Sequence, residues 1–169
     1  MKDAVLIFGL LIGIFSNVWA EELHNPPALE VFEGHIHHQA NIQLIQTQNS
    51  FLIQIDFPTS DLQVPNDENF TLIRTPEKIF QTENIKASCE LTRTQFEKKT
   101  LEPEHSDYLM TFEYACKEPA TIESIDFNPL FNLPTTLETA KASVIIGDQV
   151  LPSVEIKKGT AILKFKKSK

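Results

Sequence analysis

The chain has little of several things: five glycines, two cysteines, and only 15 Lys plus Arg against 23 Asp plus Glu in 169 residues. Each shortage excludes a class of function. So few glycines leave no glycine-rich phosphate loop, and neither Gly-x-Ser-x-Gly nor His-Glu-x-x-His occurs, so phosphate cradles, the hydrolase nucleophile elbow and the common zinc-protease helix are all missing. A net charge of −8 argues against nucleic acid, which needs clustered Lys and Arg to meet phosphates. The basic residues at the C-terminal end, Lys164, Lys166, Lys167 and Lys169, form a short tail whose expected role is solvation. After residue 15 no apolar run is long enough to cross a bilayer.

The one long apolar run lies at the start. Lys2 and the amino terminus are followed by Ala4 to Phe15, and Val18-Trp19-Ala20 has the small-x-Ala form of a cleavage site. That run is too short to span a membrane, so residues 1–20 read as a secretory signal peptide, with an uncleaved anchor as the rival reading. Residues 21–32, with Pro26-Pro27, read as an extended N-terminal arm, and residues 33–169 as a single domain long enough to bury a core. Export and an even cysteine count make Cys89 and Cys116 one disulfide, while the rival reading places them in a Cys/His metal site.

Alternation with period two dominates the domain. Ile42 and Leu44, then Phe51, Ile53, Ile55 and Phe57, flank the polar Thr47-Gln48-Asn49-Ser50, which predicts a β-hairpin ended by Pro58. Ala87, Cys89 and Leu91 alternate on one segment, and Tyr108, Met110, Phe112, Tyr114 and Cys116 on another. Antiparallel pairing of Cys89 with Cys116 sets Leu91 against Tyr114 and Arg93 against Phe112, with a turn among Lys98 to Pro103. Thr75-Pro76 opens a short helix through Phe80, and Asn128 to Pro134 is a helical corner that plugs apolar residues into the core. Three more strands are expected over 140–146, 150–156 and 160–165, with Gly147-Asp148 and Lys158-Gly159 as turns. The fold class is therefore mainly β: an antiparallel β-sandwich or sheet with one or two short helices.

Three of the five histidines, His35, His37 and His38, fall together in Gly34-His35-Ile36-His37-His38. On extended backbone His35 and His37 project to one side, and His38 to the other unless a bulge or loop intervenes. A second locus, His105-Ser106-Asp107, opens the aromatic strand, with His105 and Asp107 on one face and Tyr108 on the opposite one. If the two loci are neighbours, His35, His37, His105 and Asp107 supply a tetrahedral N/O set suited to Zn²⁺, with Cu²⁺ as an alternative. Asp107 has a second open role, as the acceptor that fixes a histidine tautomer. The rival reading makes these histidines solvated surface residues, and His24 stands apart on the arm. A Ser-His-Asp relay is excluded, because the consecutive His105, Ser106 and Asp107 alternate across a strand. No general base stands out, so the chain does not read as an enzyme, and Tyr108, Phe112 and Tyr114 read as core aromatics.

In this order the motifs resemble the zinc-regulated periplasmic protein ZrgA and its relatives. Their His-x-His-Gly-x-Ala is similar to His35-Ile36-His37-His38-Gln39-Ala40, and their hairpin end to Phe57-Pro58 with Asp61-Leu62. Their Leu-Phe and Ala-x-Cys-x-Leu correspond to Ile79-Phe80 and Ala87-Ser88-Cys89-Glu90-Leu91. Their His-x-Asp-Phe, Tyr-x-Phe-x-Cys and Pro resemble His105-Ser106-Asp107-Tyr108, Phe112-Glu113-Tyr114-Ala115-Cys116 and Pro119, and a Leu-Phe-x-x-Phe-Pro stretch resembles Leu130 to Pro134. The resemblance covers nearly all of residues 33–165. It implies a soluble periplasmic Zn²⁺-binding protein that assists zinc uptake, with a zinc transporter component as recipient and no membrane insertion once the signal is cleaved. His35, His37, His105 and Asp107 are the positions carried over. Three departures matter: His38 stands where the family has glycine, Val64 to Glu68 lacks the family's histidine, and Lys98 to Glu104 lacks its histidine-rich insertion. One or two sites, with His38 as an added ligand, is therefore the expectation, and the competing function is a non-metal β-sandwich scaffold of the cell envelope.

Overall fold

The structure, a computed structural model, describes residues 38–63, 73–82, 85, 89–102, 105–117 and 122–164, with the backbone alone at 101, 102 and 105. All of these lie in one compact unit, Phe32–Lys169. The expected signal peptide and N-terminal arm fall outside the described residues. Among the described residues no helix is long and apolar enough to cross a membrane.

Alternating side chains build the frame. β1 (Gln39–Gln46) and β2 (Ser50–Pro58) form the expected hairpin, with Ile42 opposite Ile55 and Leu44 opposite Ile53. Its turn is held by the Thr47 hydroxyl, which accepts the Ser50 N–H at 3.0 Å. β3 (Cys89–Glu102) and β4 (His105–Cys116) form the second hairpin, closed by the Cys89–Cys116 disulfide with Cα atoms 4.0 Å apart. β6 (Thr139–Ile146) and β7 (Gln149–Lys157) form a third, turning at Gly147, where a φ of 57° suits a residue without Cβ. These six strands make one mixed sheet in the order β3-β4-β2-β1-β6-β7, and β5 (Ser124–Asp126) pairs with β8 (Ile162–Lys164) in a separate two-stranded ribbon.

One face of the large sheet carries the core. Ile42, Leu44, Phe51, Ile53, Ile55, Met110, Phe112, Ala140 and Ala142 lie on that face, each with at most 1% of its surface exposed. The covering layer comes from short segments. α1 (Pro76–Ile79) opens at Pro76, which has no N–H to leave unsatisfied, and delivers Phe80 edge-on to Phe112 at 5.5 Å between ring centroids. α2 (Asn128–Phe131) buries Leu130 and Phe131 completely, the expected plug. Asp126 Oδ1 accepts the Asn128 backbone N–H at 2.8 Å and starts that turn.

The mainly-β expectation holds, and four details differ from it. β1 and β6 pair in parallel, with Ala40 opposite Ala140 and Leu44 opposite Val144, because a long connection brings β6 back beside the first strand in the same direction. β8 pairs with β5, which is only three residues long, and not with the neighbouring β7. Cys89 and Leu91 face Cys116 and Tyr114 as expected, but Arg93 faces Glu113 and Thr94 faces Phe112. An extra residue, Thr92, bulges out of β3, its hydroxyl donating to the Glu113 carbonyl at 3.0 Å. The bulge brings Phe96 opposite Met110 and onto the Tyr108 ring at 4.9 Å, where unbroken alternation would have put Gln95. Finally, β3 runs on to Glu102 and β4 begins at His105, so strand pairing takes in most of the expected turn.

Candidate functional site

The strand order brings four chain positions to one end of the sheet. β1 starts there at Gln39, β2 ends there at Pro58, β4 starts there at His105, and β6 starts there at Thr139. Pairing of Pro58 with Asp107 and of Gln39 with Thr139 fixes the alignment. The 3₁₀ turn Thr59–Asp61 sits at the junction. The Thr59 and Ser106 hydroxyls lie 2.8 Å apart, tying the turn to the start of β4. Asp61 ties the same turn to His38. The end of the histidine cluster and the His105-Ser106-Asp107 segment thus flank one turn, although the sequence keeps them far apart.

Asp61 organises the corner. Its side chain is 2% exposed, yet it is a carboxylate, so its charge must be met by donors. Oδ2 accepts the His38 backbone N–H at 2.8 Å. Oδ1 takes the Thr136 hydroxyl at 2.8 Å and lies 2.9 Å from His38 Nδ1. Its carbonyl accepts the Thr136 N–H and the Thr135 hydroxyl, each at 2.8 Å. The segment leading into β6 is thereby stitched to the 3₁₀ turn.

His38 is the turn residue before β1. Its φ of 63° is the left-handed conformation that glycine tolerates best, and it is the one described non-glycine residue with positive φ. Three backbone bonds hold it there: its N–H to Asp61, and its carbonyl accepting the N–H groups of Glu138 at 3.0 Å and Thr139 at 3.3 Å. The imidazole remains 55% exposed. Carboxylate contact at Nδ1 favours the tautomer with the proton on Nδ1 and the lone pair on Nε2.

The remaining expected ligands are placed unevenly. His35 and His37 lie outside the described residues. His105 opens β4 opposite Glu102, and its side chain is outside what is described. Asp107 is buried at 9% exposure and alternates with Tyr108, which turns to the aromatic side against Phe57 and Phe96. Among the described residues no three His, Cys, Asp or Glu side chains are grouped so as to hold a metal ion. His38 and Asp107 fit the donor chemistry of zinc, and a complete set needs donors from outside those residues. The Cys/His alternative is closed, because both cysteines are spent in the disulfide.

The residue that sequence reasoning missed as a functional group is Asp61. It belongs to a quoted motif, Asp61-Leu62, but nothing in Pro58-Thr59-Ser60-Asp61 marks a carboxylate that the fold will bury.

No protein-family model matches the chain, and no curated protein matches it significantly. The resemblance to the zinc-regulated periplasmic family rests on the order of its short motifs.

Proposed function

We propose that this protein is exported to the periplasm, where it captures Zn²⁺ and passes it to an uptake system. In this reading His35, His37 and His38 supply imidazoles, and the His105/Asp107 segment completes the set. The observation that carries the reading is the Asp61–His38 pair. A buried carboxylate on Nδ1 is the arrangement that orients a metal-ligating histidine. Two further observations support it. The start of β4 meets the same turn through Ser106 and Thr59. The left-handed backbone at His38 coincides with the glycine of the family motif that His35 to Ala40 resembles. A disulfide suits the oxidising compartment that export implies.

The test is Zn²⁺ calorimetry on the wild-type protein, on the His35→Ala/His37→Ala double variant and on Asp61→Asn. The wild type is expected to bind one or two ions. The double variant should lose binding, and Asp61→Asn should weaken it by about 10–100-fold, the usual effect of removing a carboxylate behind a ligating histidine. No heat with the wild type, or unchanged stoichiometry in the double variant, would overturn the reading in favour of a non-metal envelope module.

A further inference from the structure

A cavity of about 400 Å³ lies beside the disulfide, where β3 begins and β4 ends. Its walls are mostly apolar, with Phe80, Ile85, Cys89, Leu91 and Tyr114 among them. The volume sits near the lower end of the range of small-molecule sites, so it suits one or two rings and not a long acyl chain.

The walls favour a flat ring. Phe80 meets Tyr114 edge-on, with ring centroids 6.4 Å apart, and its contact with Phe112 anchors it to the core. Rings held in this way offer faces and edges to a third ring, in the offset and edge-to-face arrangements that aromatic groups prefer. Phe80 and Ile85 are buried at 3% and 4% exposure, whereas Leu91 stands 42% exposed at the rim, with apolar surface that an occupant would cover. Charge is unwelcome there. An ionised ligand would lose hydration against these walls, and only a counter-charge offsets that loss. Among the described wall residues, Glu77 on α1 is the one that carries charge. It is already engaged in an interaction of its own, so an ammonium group finds no uncommitted partner. Its negative charge, which together with burial raises the Tyr114 pKa, disfavours a carboxylate.

We infer that this cavity binds a small uncharged aromatic molecule of one or two rings, stacked against Phe80 and Tyr114 and covered at the rim by Leu91. The site shares no residue with the His38–Asp61 corner and is independent of the metal reading.

Probes matched in size but differing in charge or shape test it: naphthalenemethanol, naphthalenemethylamine, naphthoate and octanol, titrated at neutral pH into the oxidised ¹⁵N-labelled protein. Naphthalenemethanol should produce saturable shifts at the amides of Phe80, Ile85 and Leu91. It should bind about tenfold more tightly than the amine and the carboxylate, which must bring a charge partly out of water. It should also bind more tightly than octanol, which cannot stack. Leu91→Asp, a change at an exposed position of an outer strand, should weaken naphthalenemethanol about tenfold by removing apolar surface at the rim and adding a charge. The comparison of probes on the wild type stands even if that variant is unstable. Absence of saturable shifts at those amides, an amine or naphthoate that binds as tightly as the alcohol, tighter binding of octanol, or an affinity unchanged in a folded Leu91→Asp would overturn the proposal.

Discussion

His38 and Asp61 act through two separable properties, a backbone conformation and a side-chain contact. His38→Ala removes the imidazole but keeps a Cβ in left-handed backbone, whereas His38→Gly removes both the contact and the strain. The glycine variant is therefore expected to be the more stable of the two by about 1 kcal/mol, read from urea unfolding. Asp61→Ala should cost more, about 2–4 kcal/mol, because it leaves the His38 N–H and the Thr136 hydroxyl without their buried acceptor. Tyr114 gives a pH signature of known sign. Its pKa is raised in the folded state, so its stabilising effect is complete below the ordinary tyrosine range and is lost as pH rises above about 10, where the unfolded chain sheds the proton first. Unfolding curves between pH 9 and 11 should show the wild type losing stability more steeply than Tyr114→Phe.

At the scale of elements, the two outer strands of the six-stranded sheet are both bulged. β3 carries Thr92 and a second irregularity between Thr100 and Glu102, and β7 has Pro152-Ser153 opposite the single Ser143. Bulges, a proline and charged side chains such as Arg93, Glu97 and Lys98 make these edges poor templates for a further strand. The Thr92 bulge also has an internal effect, since it returns Phe96 to the aromatic face. Deleting Thr92 removes only the extra residue and leaves Arg93 opposite Glu113 and Phe96 opposite Met110, so it should cost less than Phe96→Ala, which empties that contact at an expected loss of about 2–3 kcal/mol in chemical unfolding. The disulfide fixes the other end of the same hairpin. Replacing both cysteines by serine should cost about 3–4 kcal/mol by loop-closure entropy across a separation of 27 residues, measured the same way.

For the whole molecule, β1 is the central organising strand. It pairs with β2 on one side and with β6 on the other, and its Ala40, Ile42 and Leu44 are fully buried. Opening it separates the two halves of the sheet, so the amides of Ile42 and Leu44 should exchange only through global unfolding. Those of β7, whose side chains are mostly exposed, should exchange faster, which native-state hydrogen exchange resolves residue by residue.

Local alternation and turn chemistry by themselves determined the mainly-β class, the hairpins, the Pro76 helix start, the Leu130-Phe131 plug and the pairing of the two cysteines. All of these depend on side chains a few residues apart, or on one covalent bond whose partners are unique. Only the tertiary structure decided that β1 and β6 run parallel, that β8 joins β5, and that Thr92 slips the register of β3. Those outcomes come from elements that meet across long stretches of chain, where the balance of burial, and not a repeating pattern, selects the partner. The same holds for the candidate site. The histidine motifs were legible as residue types, but Asp61 came to meet His38 only through the 3₁₀ turn at the strand ends. Tyr114, indistinguishable in sequence from any core aromatic, owes its raised pKa to burial and to the Glu77 charge that α1 brings near it.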